Sequence, residues 1–196
     1  MELEAIEPEI EINGKVVYSS VAAFPMARCL PAKILVRKGL GKSVNKKFQI
    51  DTNDWYSLRD WVDALNEMSL RFGDDALIKI GMKIPEIIPF PVPAKDMESA
   101  LKLLEIVYHM NHRKNGRTLF DPNSGVILER IGHYSYTRNG NEYTINLNES
   151  SYPCALAKGL LTAIARKIEP NSIVIHDDST SCCKRGDKFC TFKVRL

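Results

Sequence analysis

Apolar and polar positions change rhythm along this chain, and each change marks a predicted element. Residues 9–24 carry two apolar runs around Asn13-Gly14, a pairing that predicts a β-hairpin whose second strand holds Val16, Val17, Tyr18 and Val21. Residues 32–37 (AKILVR) predict a third strand. From Trp55 the period lengthens. Trp55, Leu58, Val62, Leu65 and Phe72 recur at helical spacing, with Asp51, Thr52 and Asn53 as capping candidates in front and Gly73 behind. Asp74 can cap a shorter helix carrying Leu77, Ile80 and Ile84. The four prolines from Pro85 to Pro93 predict a stiff connector that is not helix. A third helix follows, with Met97, Leu101, Leu104 and Tyr108 on one face, and runs to about Asn111.

The period then shortens to two. Residues 125–131, 132–138 and 142–148 predict an antiparallel meander with a turn at Asn139-Gly140-Asn141. A helix over 153–168 takes Pro153 in its first turn and buries Leu156, Leu160, Ile164 and Ile168. Two strands, 172–176 and 189–195, flank a cysteine-bearing turn. The order of elements predicts an α+β fold, an antiparallel sheet with helices packed on it.

At 196 residues the chain is one domain, or one domain with an extension, and its 44% hydrophobic content suffices for a full core. The 27 basic and 24 acidic residues leave a net charge of +3, too even to argue for nucleic acid or an anionic membrane as partner. No apolar run approaches the length of a membrane span, about 20 residues. The acidic start MELEAIEPEIEI does not resemble a signal peptide, so a cytoplasmic protein with reduced thiols is expected. The stretch Lys38-Gly39-Leu40-Gly41-Lys42-Ser43 is not a phosphate loop: Val36 stands where the first glycine belongs, and the polar VNKKFQ follows.

Four of the five cysteines lie after residue 150. Cys182 and Cys190 sit at the ends of a turn around Gly186-Asp187, where both thiolates can converge on one tetrahedral ion. Cys154 opens a helix, a position that favours the anionic sulfur. A fourth ligand is sought among His176, Asp177 and Asp178, and Asp178 is taken. Three buried, apolar cysteines are the competing reading. Cys183 neighbours Cys182 and points to the opposite face.

Cys182, Gly186, Asp187, Cys190 and Phe192 resemble the closing signature of the 4-vinyl reductase domain family. Tyr152-Pro153-Cys154 with Gly159-Leu160-Leu161, and Arg71-Phe72-Gly73 through Gly81, resemble its earlier parts. The resemblance covers roughly residues 53–196, and the ligand-binding domain is placed at 51–196 with 1–50 as an N-terminal β extension. It implies the fold shared by nitric-oxide-signalling domains and Golgi-transport tethering subunits, and a structural Zn²⁺ held by Cys154, Cys182 and Cys190; the family's acidic ligand would fall at Ser179, so Asp178 beside it is taken as the fourth. Members of the family bind aromatic effectors or act in chlorophyll-type pigment synthesis.

The same resemblance implies a pocket between the third helix and the meander, with His109, Tyr134 and Tyr136 as its polar groups. Both His109 and His112 also fit a helix C-terminus without any ligand. Tyr134-Ser135-Tyr136-Thr137-Arg138 partly resembles the Tyr-x-Ser-x-Arg motif that grips haem in the nitric-oxide-binding relatives, with His109 as the axial ligand. Since Tyr136 replaces the serine and a whole strand then intervenes, haem is set aside. The function expected is a sensor that binds a hydrophobic or aromatic small molecule and signals through protein association. A reductase or accessory protein for a vinyl-bearing tetrapyrrole is the alternative, disfavoured because no nicotinamide or flavin fingerprint is present. A homodimer is expected because strands over 9–37 have no assigned partner.

Overall fold

The computed structural model describes residues 6–128 and 131–196. Chain order begins with β1 (Ile10–Asn13), α1 (Gly14–Ala22), α2 (Cys29–Arg37), β2 (Lys42–Val44), β3 (Lys47–Gln49) and β4 (Trp55–Ser57). It continues with α3 (Leu58–Phe72), α4 (Asp74–Ile87), α5 (Met97–Met110), β5 (His112–Lys114) and β6 (Arg117–Thr118). The last part holds β7 (His133–Asn139), β8 (Glu142–Asn148), α6 (Cys154–Ile168), β9 (Ile173–His176) and β10 (Phe189–Arg195). The fold is α+β, with two antiparallel four-stranded sheets ordered β4-β1-β5-β6 and β7-β8-β10-β9 and a separate β2-β3 ribbon.

The N-terminal third departs from the alternation reading. Asn13-Gly14 does not turn a hairpin: Asn13 caps α1, its side chain accepting from the Lys15 amide at 3.0 Å. Gly14 is required because a Cβ there would lie 2.4 Å from the Asp51 carbonyl oxygen. Residues 32–37 belong to helix α2, which buries Pro31, Ala32, Ile34 and Leu35. The short strand β1 pairs on both sides, with β4 and with β5, so the open strand edges that suggested a dimer are absent from this segment.

Pro85 also departs from expectation. It lies inside α4, which continues to Ile87 before the proline-rich strap begins. Over 125–128 the chain forms only an isolated bridge, Phe120 to Ile127, instead of the expected strand, and residues 129–130 of that expectation fall outside the described residues.

From residue 133 onward the prediction and the structure coincide. Tyr143, Ile145 and Leu147 of β8, with Cys190, Phe192 and Val194 of β10, form the buried face of the second sheet. Helix α6 lies on this sheet and α4 lies on α6. The two helices meet through glycine: a Cβ on Gly81 would be 2.1 Å from the Leu156 carbonyl oxygen, and one on Gly159 2.1 Å from that of Ile78. The core is one cluster running from Ile6 to Val194. Among the described residues no helix is long and apolar enough to cross a membrane.

Candidate functional site

An apolar slot opens where α5, the ends of α4 and α6, and β1 converge. Its walls include Trp61, Ile84, Phe90, Leu104, Leu156 and Leu160. The cavity itself is small, about 60 Å³, so the space is narrow. Tyr108, Asn111, His112, Tyr134, Tyr152 and the Trp61 indole bring polar groups to its lining. Tyr108 stands at the centre, with its ring edge-on to Tyr134 at 5.5 Å and to Tyr152 at 5.9 Å. Its hydroxyl donates to the Ile131 carbonyl at 2.8 Å.

Backbone geometry fixes the state of His112. Its Nδ1–H donates to the Tyr108 carbonyl at 2.7 Å, which leaves Nε2 to accept the hydroxyl proton of Tyr152. Burial, the main cause, pushes the imidazole down to about 3, so the ring is neutral. Burial likewise raises the three tyrosines above the ordinary phenol value.

The other expected pocket residues lie elsewhere. Tyr134 lines the slot, but His109 and Tyr136 do not. His109 is fully buried and stacks on His133, ring centres 4.9 Å apart. Tyr136 is half-buried near Tyr143, whose ring the exposed Arg138 also covers. Tyr152 and His112 line the slot but were not placed in a pocket by the sequence reading. Tyr152 had a visible signal, its place just before Pro153-Cys154; His112 was visible but read as a helix end.

A second constellation joins Cys154, Cys182, Cys190 and His176, one ligand atom from each lying within 4.8 Å of the others. Cys154 Sγ is 3.1 Å from Cys190 Sγ and 3.7 Å from Cys182 Sγ. The imidazole of His176 stacks on Phe192, and its contact with Cys154 helps to push that thiol down; its buried Nε2 makes no hydrogen bond of ordinary geometry among the described residues. Asp178, the expected fourth ligand, is exposed and outside this set. The reason is local: Asp177 turns back to accept from Lys193, Ser179 and Thr180, which starts the loop one residue before Asp178. Gly186, in the left-handed region at φ 88°, and Asp187, accepting from the Cys182 amide at 2.8 Å, close that loop.

Within this group the hydrogen bond from Cys190 is the first cause that pushes the Cys154 thiol down to about 4. That contact and burial push Cys190 up, so the two sulfurs share one proton. Cys183 sits half-buried outside the group, and Cys29 is exposed and alone.

No protein-family model matches the chain, and no curated protein does. Solved structures do match, and they show the fold. An H-NOX protein from Shewanella oneidensis in the Fe(II)NO ligation state superimposes with a TM-score of 0.64 at 13% identity, over 94% of this chain and 99% of that one. An Fe(II) unliganded H-NOX protein from K. algicida gives 0.62 at 12% identity, over 94% and 96%. A protein described by porphyrin distortion that modulates haem redox potential gives 0.53 at 9% identity, over 94% and 100%. These neighbours correct the expectation that ranked Zn²⁺ first and set haem aside. The solved examples of this fold are described by their iron ligation state or their haem. The fold expected from the 4-vinyl reductase resemblance is the one found, whereas that family itself has no matching model.

Proposed function

We propose that this chain is a small-molecule sensor domain whose ligand is a flat, largely apolar group held in the slot between α5, α4 and α6. The observation that carries this reading is a neutral, fully buried imidazole at the end of an apolar slot. Small-molecule sites combine apolar walls with a few placed polar groups. A narrow slot selects planar rings over globular ligands, and its one hydroxyl–imidazole pair supplies the orientation. Signalling through a protein partner belongs to the same reading.

Haem is the planar group that the solved neighbours suggest; His112 and the apolar walls suit it, while the slot has no cationic lining residue among the described residues for the propionates and would have to widen to take it. His112 presents an uncharged ring whose Nδ1–H is already held by a backbone carbonyl, the arrangement that orients histidine ligands toward a metal. When bound, haem supplies an iron that can take a small gas molecule. His112 would hold that iron, with Tyr152 giving up its hydrogen bond to the ring. Trp61, Leu104 and Leu156 would exclude water from the porphyrin faces. The test is titration of the purified chain with haemin, followed by its Soret absorption. One equivalent should bind, and His112→Ala should abolish the histidine-ligated spectrum. Should haemin fail to bind and no planar phenol, indole or porphyrin raise the melting temperature, the reading is wrong.

We further propose that Cys154, His176, Cys182 and Cys190 hold a metal ion that ties the start of α6 to β9 and β10. Three sulfurs and a buried imidazole nitrogen gathered within 4.8 Å support it, because that donor set suits a tetrahedral ion. Elemental analysis of protein purified without chelator should find close to one metal equivalent in wild type and much less in Cys190→Ala.

A further inference from the structure

Another constellation lies outside both the slot and the thiol group. We propose that Glu105, His109 and His133 form a binding site for a first-row divalent transition-metal ion. Glu105 and His109 are one helical turn apart on α5, so they share a face. His133 is the first residue of β7 and reaches the same point from the sheet. One ligand atom from each residue lies within 4.8 Å of the other two. The carboxylate oxygen Oε1 of Glu105 is 2.6 Å from His133 Nδ1 and 3.6 Å from His109 Nδ1.

The surroundings orient these groups as ligands. His109 donates its Nδ1–H to the Glu105 carbonyl at 2.9 Å, which fixes the ring, and Nε2 is the atom that it would offer an ion. The second carboxylate oxygen of Glu105 accepts the Tyr134 amide at 2.9 Å, which holds Oε1 toward the histidines. The imidazoles lie nearly parallel, 24° apart, so they face one carboxylate side by side instead of bonding to each other. Two histidines and one carboxylate, with further positions open, suit Fe²⁺, Co²⁺ or Ni²⁺. Exposure grades from none at His109 through 17% at Glu105 to 28% at His133, so water and ions reach the set from one side. Cis donors at about 2.1 Å from an ion are about 3 Å apart. The Glu105–His133 contact must therefore open slightly, and the His109 ring must bring Nε2 toward the ion in place of the Nδ1 edge that lies 3.6 Å from Oε1. Different residues from those of the slot and the thiol group carry this site.

The same geometry without an ion would be a hydrogen-bonded clasp between α5 and β7, and cobalt separates the two. Full-length protein stripped of metal is titrated with Co²⁺ by calorimetry and absorption together. The thiol group gives an event with intense near-ultraviolet thiolate-to-cobalt absorption. The proposed site gives a second event without it. Glu105→Gln, which keeps an oxygen for the Tyr134 amide, and His133→Asn should each weaken the second event tenfold or more and leave the first unchanged. A missing first event would count against the thiol site alone. A missing second event, or one that survives both variants within twofold, overturns this proposal. Where a variant fails to fold, the wild type still decides: substoichiometric Mn²⁺ should broaden the ring-proton resonances of His109 and His133 before those of His112 and His176, and broadening in any other order overturns the site.

Discussion

Tyr152 donates its hydroxyl proton to Nε2 of His112 in the interior of the protein, joining the residue before the α6 turn to the first residue of β5. Both side chains are almost wholly removed from water. Tyr152→Phe keeps the ring and its edge contact with Trp61 but leaves a buried acceptor unsatisfied. Such a loss costs about 1–3 kcal/mol. Urea unfolding of the ligand-free chain should show it as a lower midpoint with an unchanged slope, and an unchanged midpoint would contradict the bond.

His112 also sets a dependence on pH. Its folded value, about 3, lies below its ordinary 6.5, so between these values the unfolded chain binds the extra proton. Stability contributed by the neutral ring is complete above 6.5 and falls with acidification, at up to about 1.4 kcal/mol per pH unit. Unfolding of the ligand-free protein at pH 7.5, 6 and 5 should therefore give falling stability below 6.5 that is shallower in His112→Gln. Equal slopes in both would show that His112 is not the group responsible.

The glycine contact between α4 and α6 predicts intolerance at two positions. At Gly81 and Gly159 the obstructing atoms are backbone oxygens, which cannot rotate aside as a side chain does. Gly81→Ala and Gly159→Ala should each destabilise by about 1–3 kcal/mol or more, as overpacking does. Thermal melting decides this; wild-type stability in either variant would mean that the helices separate freely.

The cysteines differ in kind, and substitution should reveal it. Cys190→Ala removes a buried sulfur 3.1 Å from Cys154, whereas Cys29→Ser alters an exposed residue. Melting temperature should drop clearly in the first and stay within a degree or two in the second, about the effect of a neutral surface change. A chelator should lower the wild-type melting temperature toward that of Cys190→Ala.

What the sequence showed follows from where one local pattern dominates. Over 133–148 and 154–168, the alternation and the helical period give the elements and their bounds, so strands and helix were legible, although in α6 the buried face takes Leu161 and Ala165 while the expected Leu160 and Ile168 are only partly covered. Over 14–37 the helices are only nine residues long and rich in Val and Ile, types that favour strands locally, and tertiary packing decides. Asn13-Gly14 suits a helix start and a hairpin turn alike, and only the approach of Asp51 distinguishes them. The three cysteines were legible by spacing. His176 was within reach too, since it shares a strand face with Val174, but proximity to Cys182 in sequence favoured the aspartates.

Helix α6 carries Cys154 at its first residue, and Leu156 and Leu160 in the slot wall. A rigid rod fixed at one end transmits what happens along its length. Any ligand that shifts this wall also shifts a sulfur relative to β10, and any bond that pins the sulfur stiffens the wall. A slot ligand and a thiol-bound ion, each as proposed, would therefore pull on the same rigid part and feel one another through it.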